Sequence, residues 1–131
     1  MATRNTRQYS DLNLLFTTNQ DTLDITKKYD DEAVKTSLKN LIQTKNYERP
    51  FHPEIGCQIF SLLFENFTPI TKQVMKRTIS DVIEKFEPRV TVLDVKVRDR
   101  IDTNDISIEL VYRLNNSDRP ITLNTAISRV R

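Results

Sequence analysis

The chain has 131 residues and a mass of 15.4 kDa, which is the size of a single domain. Its 20 basic and 18 acidic residues alternate along the chain, so the net charge of +2 argues against a nucleic-acid-binding protein, which usually clusters its basic residues. No run of about 18 apolar residues is present, and the chain begins with polar residues. We therefore expect no membrane segment and no secretion signal, and we expect the chain to remain in a cytoplasm.

Two residue types occur only once. The single cysteine, Cys57, excludes an internal disulfide and cannot by itself hold zinc. The single glycine, Gly56, excludes the glycine-rich loops that cradle nucleotide phosphates. We therefore expect no metal site and no cofactor.

The first half of the chain predicts one weak strand and two helices. A short alternating stretch among residues 9–16 (Tyr9, Leu12, Leu14 and Phe16) is compatible with an edge strand in an otherwise polar segment. Apolar residues at helical spacing, preceded by acidic residues, predict a helix at about 31–45. A proline-rich loop follows, and because each proline disfavours helix at the preceding residue, this loop is predicted to be stiff. A second, short helix is predicted at about 58–66.

The second half predicts a long helix and a sheet. The helix runs to Phe86, with Thr68 or Thr71 as its N-cap and Val74 among the residues of its apolar stripe. After Pro88 the hydrophobic pattern alternates, which is typical of strands. Three strands are predicted, at about 90–97, 106–114 and 121–129, and a change of phase near Val92 and Leu93 indicates a bulge in the first of them.

These elements predict the fold class. An amphipathic helix and a sheet with one apolar face bury those faces against each other. The prediction is an α+β, two-layer fold, in which about three helices pack on a C-terminal three-stranded antiparallel sheet. We expect a single domain over residues 1–131, with a poorly defined segment at 1–29, a helical part at 30–87 and the sheet at 88–131. The last strand, running to Val130 and Arg131, is a candidate open edge for pairing with another chain.

Catalytic chemistry finds little support in the sequence. His52, Glu54 and Cys57 lie close together, but a cysteine nucleophile also needs an orienting group and an oxyanion hole. A polar loop histidine and a buried cysteine explain these residues better. A glycosidase needs two carboxyl groups roughly 5–9 Å apart, one with a raised pKa. The available glutamates do not stand out among 18 acidic residues (Glu48, Glu54, Glu65 and Glu87).

The tripeptide Glu87-Pro88-Arg89 places an acidic residue at the end of a helix where a negative charge is unfavourable. The proline explains the change from helix to strand. The glutamate, however, stands at the end of a helix where the dipole disfavours a negative charge, and the arginine can bond a carboxylate through two N–H groups. The residues alone favour equally an internal ion pair and a docking site for a partner.

Several motifs together resemble a known family: Arg49-Pro50-Phe51, Pro53-Glu54, Gly56-Cys57, Leu63-Phe64-Glu65-Asn66, Thr68-Pro69 with Thr71, and Glu87-Pro88-Arg89 before a β-rich tail. The chain resembles the gene-25-like baseplate wedge proteins, or sheath initiators, of contractile-tailed T-even-like phages, which are related to the type VI secretion baseplate subunit. The resemblance spans about residues 45–131 and is most specific at 47–71 and 87–89. Ile55 stands where the family has an aromatic residue, and residues 11–30 match no part of the pattern.

The resemblance implies a structural subunit of the virion tail baseplate, assembled in the host cytoplasm, and not an enzyme. Such a subunit would link the wedge core bundle to the first sheath ring and initiate sheath assembly. Its partners would be other baseplate wedge proteins and the tail sheath protein, without nucleic acid, membrane or small-molecule substrate.

The resemblance also assigns roles by position. Glu87, Pro88 and Arg89 would dock onto the core bundle. The terminal strand would pair with the sheath through Ile121, Leu123, Thr125 and Ile127. The loop motif of the family would be Arg49, Pro50, Phe51, Pro53, Glu54 and Gly56.

Two other interpretations remain open at this point. One is a small peptidoglycan glycosidase, because the family has carried a lysozyme-like label. The other is a generic binding module with unrelated partners.

Overall fold

The computed structural model describes residues 8–129. This part of the chain contains five strands, β1 to β5, and three helices, α1 to α3, in the order β1 (Ser10–Leu12), β2 (Lys27–Tyr29), α1 (Asp30–Gln43), α2 (Ile59–Leu62), α3 (Pro69–Phe86), β3 (Val90–Arg100), β4 (Asp105–Leu114) and β5 (Pro120–Ser128). None of these helices has both the length and the apolar character needed to cross a membrane. The predicted end of the last strand at Val130 and Arg131 lies outside the described residues.

The described residues divide into two compact units, one ending at Ser37 and the other beginning at Leu38. In the first unit, β1 and β2 form an antiparallel hairpin, and a further β-bridge joins Thr18 to Ile25. The strand predicted among residues 9–16 is therefore present but ends at Leu12, because the residues beyond it enter the turns of this hairpin. The organisation as a single domain over residues 1–131 stays a prediction.

The second unit contains the predicted sheet. Its strand order is β3-β4-β5 with antiparallel pairing throughout, so the α+β fold class is confirmed. The register between β3 and β4 shifts between Val92 and Asp94, which confirms the predicted bulge. A 3-10 turn at Ile101–Thr103 connects β3 to β4.

Helix α3 packs against β3 and also contacts α2. It begins as predicted: Thr68 caps it by accepting a hydrogen bond from the Thr71 amide at 3.2 Å, and Pro69 occupies its first turn. Its buried side chains recur every four residues and form one stripe (Met75, Ile79 and Ile83). Val74, predicted on that stripe, is exposed, because it lies one position off this repeat.

The other two helices are shorter than predicted. Helix α2 ends at Leu62 rather than near residue 66, because the Glu65 amide donates to the Leu62 carbonyl in a tighter turn and the chain then enters the cap of α3. Helix α1 ends at Gln43, whose amide nitrogen lies 3.4 Å from the Thr125 hydroxyl of β5. The C-terminal end of α1 is thereby joined to the sheet.

Gly56 is needed where the loop after α1 closes on itself. Its φ is +155°, a conformation that residues with a side chain rarely adopt. A Cβ atom at this position would lie 2.7 Å from the backbone C and O of Lys45 and 2.8 Å from the amide nitrogen of Asn46. The next residue, Cys57, donates its N–H to the Thr44 carbonyl, so two segments of backbone meet here without room for a side chain.

We predict that Gly56→Ala lowers the free energy of unfolding by about 2–4 kcal/mol, because a strained φ is combined with a clash against backbone that cannot turn aside. Urea unfolding followed by circular dichroism measures the effect. Gln58→Ala, at an exposed position two residues away, is the matched control and should change stability little. An unchanged midpoint for Gly56→Ala would contradict this account of the loop.

Candidate functional site

The tripeptide 87–89 forms an internal ion pair at the end of α3. Nε of Arg89 donates to Oε1 of Glu87 at 2.6 Å, and Nη2 donates to Oε2 at 2.8 Å. The Glu87 side chain is only 5% exposed and the Arg89 side chain 24% exposed. Both carboxylate oxygens are thus held by one guanidinium in a bidentate, charge-assisted bond. Of the two interpretations of this tripeptide, the structure contains the ion pair, whereas a docking role stays a prediction.

The backbone around the pair is also tied down. The Glu87 amide donates to the Ile83 carbonyl at 2.8 Å, which closes the last turn of α3. From the turn between β4 and β5, Asn115 donates its side-chain amide to the Pro88 carbonyl at 2.7 Å and its backbone N–H to the Arg89 carbonyl at 3.0 Å. The turn from helix to strand is therefore fastened from two directions.

Asn115 is a residue that sequence reasoning missed. It lies between two predicted strands, and nothing in its local sequence relates it to residues 27 positions earlier. Its side-chain oxygen also accepts from the Thr91 hydroxyl at 2.9 Å, so one asparagine connects the start of β3 to the turn after β4. This role follows from the antiparallel pairing of β3 with β4, which places the ends of the two strands side by side.

The exposed part of the tripeptide is Pro88 together with the outer edge of Arg89. Pro88 lies on the surface, whereas the Glu87 carboxylate is enclosed. A partner that approached this turn would meet the proline ring and a guanidinium whose orientation is already set by Glu87.

The predicted loop motif forms a compact, exposed turn at residues 46–56. The Tyr47 amide donates to the Pro53 carbonyl at 3.0 Å across the loop, and the Lys45 amide donates to the Glu48 carboxylate at 2.9 Å. Most side chains of the motif are exposed (Arg49, Pro50, Phe51, Pro53 and Glu54), and Gly56 is buried. Phe51 is 96% exposed and takes a left-handed φ of 68°. The loop thus holds a large aromatic side chain in solvent.

The three residues considered for nucleophilic catalysis are not arranged for it. Nδ1 of His52 lies 3.2 Å from Oε1 of Glu54, on the exposed surface of the loop. Hydrogen bonding from its own backbone and then from His52 lowers the pKa of the Glu54 carboxyl below its usual range. Cys57 is buried, and burial raises the pKa of its thiol, so the thiol stays protonated and weakly nucleophilic at neutral pH.

Within residues 8–129, no group of three or more His, Cys, Asp and Glu side chains could hold a metal ion. The carboxyl groups considered for a glycosidase are mostly engaged in other roles: Glu87 by Arg89, Glu48 by the Lys45 amide, and Glu54 by hydrogen bonds that favour its ionised form. A general acid needs the opposite shift, towards a raised pKa.

The terminal strand β5 lies at an edge of the sheet. Among residues 8–129 it pairs with β4 alone, and its register runs without interruption from Pro120 to Ser128. Three of the four residues predicted for pairing are buried on the inner face (Leu123, Thr125 and Ile127), and Ile121 is half-buried. The outward face carries four exposed side chains that are not among the residues predicted for pairing (Thr122, Asn124, Ala126 and Ser128).

We predict that Arg89→Ala lowers the free energy of unfolding by about 2–4 kcal/mol, because it leaves the buried Glu87 carboxylate without its bidentate partner. Chemical denaturation measures the loss. The double variant Glu87→Gln, Arg89→Met should lose less than Arg89→Ala, since it removes both charges together.

Arg77→Ala is the matched control, because the Arg77–Asp81 pair lies on the exposed face of α3, with its closest atoms 3.8 Å apart, and should contribute little. Equal losses for Arg89→Ala and Arg77→Ala would show that the buried pair does not stabilise the turn.

Comparison with known proteins identifies the family. Residues 28–119 match the family model described as baseplate wedge protein gp25. The baseplate wedge protein gp25 of Enterobacteria phage T4 is 34% identical to this chain over 89 residues, which make up 68% of this chain and 67% of the phage protein.

Three solved structures share the fold. A protein from Geobacter sulfurreducens, described as a candidate tail lysozyme, has a TM-score of 0.72 and 20% identity, with 77% of this chain and 92% of that chain covered. A chain of the anti-feeding prophage baseplate has a TM-score of 0.64 and 21% identity, with 90% of this chain and 83% of that chain covered. A chain of the type VI secretion system baseplate complex has a TM-score of 0.58 and 19% identity, with 74% of this chain and 93% of that chain covered.

At these identities the three structures show a common fold and no more. The match of the family model to most of the chain, and the identity to the phage protein, carry the assignment. The chain belongs to the gp25 family of baseplate wedge proteins.

Proposed function

We propose that this baseplate wedge protein links the core bundle of the wedge to the first ring of tail sheath and initiates sheath assembly. The observation that carries the proposal is the turn at residues 87–89, which is fastened internally and yet presents an exposed proline and a fixed arginine. In this proposal the protein acts in the tail baseplate of a virion, is assembled in the host cytoplasm, and has other wedge proteins and the sheath protein as partners.

Docking through the turn at residues 87–89, which we call the docking turn, is supported by the rigidity of this turn before binding. The bidentate bond from Arg89 to Glu87 and the hydrogen bonds from Asn115 hold the turn in one conformation before any partner arrives. A surface that is already ordered loses little conformational entropy on binding, so more of the contact energy appears as affinity. Arginine at the rim of such a surface is also a frequent anchor in protein interfaces.

Pairing of the sheath protein with β5 is supported by the difference between the two edge strands of the sheet. The edge strand β3 carries a bulge between Val92 and Asp94, and a bulge discourages pairing with another strand. The edge strand β5 has no shift of register over its whole length. A partner strand can therefore add to β5 through backbone hydrogen bonds, while Leu123, Thr125 and Ile127 keep their side chains in the core.

The same observations support assembly rather than catalysis. The Glu87 carboxylate is held by Arg89, and the pKa of Glu54 is shifted away from what a general acid requires. The candidate tail lysozyme shares the fold at 20% identity, a similarity that does not extend to its chemistry.

For the docking turn, we predict that Pro88→Ala weakens binding to the wedge core roughly tenfold or more and lowers the melting temperature by only a few degrees, the loss expected from a more flexible unfolded chain. The carbonyl that accepts the bond from Asn115 is kept in this variant, so the fold loses only the exposed ring. Co-purification with co-expressed wedge proteins measures the effect. Arg98→Ala, at an exposed position on β3, is the control. Normal wedge assembly by Pro88→Ala would refute a docking role for the turn.

For the edge strand, we predict that the double variant Asn124→Lys, Ala126→Lys binds the wedge normally but no longer initiates sheath, because lysine on an edge strand opposes the addition of another strand. Both side chains are exposed, so the sheet itself tolerates the changes. Electron microscopy of wedge assemblies mixed with sheath protein counts the sheathed tubes. The single change Arg113→Lys on β4 is the matched control. Sheath formation at the normal level by the double variant would exclude β5 as the pairing edge.

A further inference from the structure

The end of the β1–β2 hairpin exposes a cluster of large apolar side chains. We call residues 13–26, the segment between the two strands, the hairpin tip. Four of its side chains are 56–86% exposed: Leu14, Leu15, Phe16 and Leu23. Single exposed apolar residues are common on protein surfaces, but several large ones in one short segment are a feature of interaction sites.

Two of these residues have an unusual backbone. Phe16 has a φ of 51° and Leu23 a φ of 55°, in the left-handed region that bulky residues seldom occupy. Such conformations persist only where the surrounding structure enforces them, and they concentrate at sites of function. Here each strained residue carries one of the exposed apolar side chains.

Hydrogen bonds of polar residues enforce this conformation. The Asn13 side chain donates to the Thr17 hydroxyl at 2.7 Å and to the Thr26 hydroxyl at 3.1 Å. The Phe16 amide donates to the Asn13 carbonyl, and the Leu23 amide donates to the Asn19 carbonyl. The backbone that carries these apolar side chains is thus ordered, and it would lose little conformational entropy on binding.

The charge of the hairpin indicates what it would bind. Residues 8–26 contain three aspartates and no lysine, arginine or histidine. Asp21 and Asp24 flank Leu23 closely in sequence, and both are exposed. An apolar cluster with an acidic rim is complementary to an apolar cleft with a basic rim.

The tip also lies outside the part of the chain that defines the family. The match to the family model begins at residue 28, after the tip has ended. The tip belongs to the unit that ends at Ser37, whereas residues 87–89 and β5 belong to the unit that begins at Leu38.

We propose that the hairpin tip inserts into an apolar cleft, rimmed by lysine and arginine side chains, on another protein of the same baseplate. Leu15, Phe16 and Leu23 are the anchors of this contact. Asp21 and Asp24 steer the approach and set its register. The strained backbone at Phe16 and Leu23 is retained because it keeps the anchors in the orientation in which they bind.

The test uses the full-length chain and each of the other baseplate wedge proteins, purified singly and immobilised for biolayer interferometry. We expect one of them to bind the wild type, and Leu15→Ser, Phe16→Ser to weaken that binding roughly tenfold or more. Asp21→Lys, Asp24→Lys should weaken it at about 50 mM NaCl and have a smaller effect at about 500 mM, because salt screens exposed charges.

Ile101→Ser is the control for the loss of an exposed apolar side chain elsewhere, and it should bind this partner as the wild type does. The proposal is overturned if no wedge protein binds, if the tip variants bind like the wild type, or if sedimentation shows that the tip variants abolish only the pairing of two copies of this chain. Thermal unfolding confirms that each variant is folded.

Discussion

The buried bond between Glu87 and Arg89 is the interaction on which the second unit of this protein depends. A carboxylate at the C-terminal end of a helix faces an unfavourable dipole, and burial adds a further cost. Arg89 offsets both by bonding the two carboxylate oxygens at 2.6 and 2.8 Å. Because the two residues are separated only by Pro88, the bond also sets the direction in which the chain leaves α3 to begin β3. Asn115 then ties the same turn to the turn between β4 and β5, which lies at the same end of the sheet.

Both surfaces proposed for assembly are held in one conformation by bonds within the chain itself. The docking turn is held by an ion pair and an asparagine, and the hairpin tip by an asparagine and two threonines. In a chain with a single glycine, tight loops force other residues into left-handed conformations. Four residues with large side chains have such a left-handed conformation, and all four side chains are exposed: Tyr47, Phe51, Phe16 and Leu23. Strain and apolar exposure occur together at these four positions, which is the pattern expected of a protein selected for contact with partners.

Membership of the gp25 family agrees with what the side chains can do. Cys57 is buried with a raised pKa, His52 and Glu54 pair with each other on the surface, and Glu87 is bonded to Arg89. These groups are arranged to stabilise turns. An open edge strand and ordered, exposed loops are features that serve binding. The fold is shared with a candidate tail lysozyme and with two baseplate proteins, so the fold alone does not separate catalysis from assembly.

Most of the local structure could be predicted from short stretches of the chain. The cap at Thr68, the bulge near Val92 and the three alternating strands follow from patterns of neighbouring residues, and the motifs around residues 47–71 and 87–89 carried the family. The sequence could not decide between an ion pair and a docking site at Glu87-Pro88-Arg89, because burial of the carboxylate depends on packing. It also missed Asn115, whose partners lie 24 to 27 residues away, and the exposed apolar side chains of the hairpin tip. Tertiary structure decided these points, since contacts between distant segments and the sign of φ leave no periodic signal in the chain.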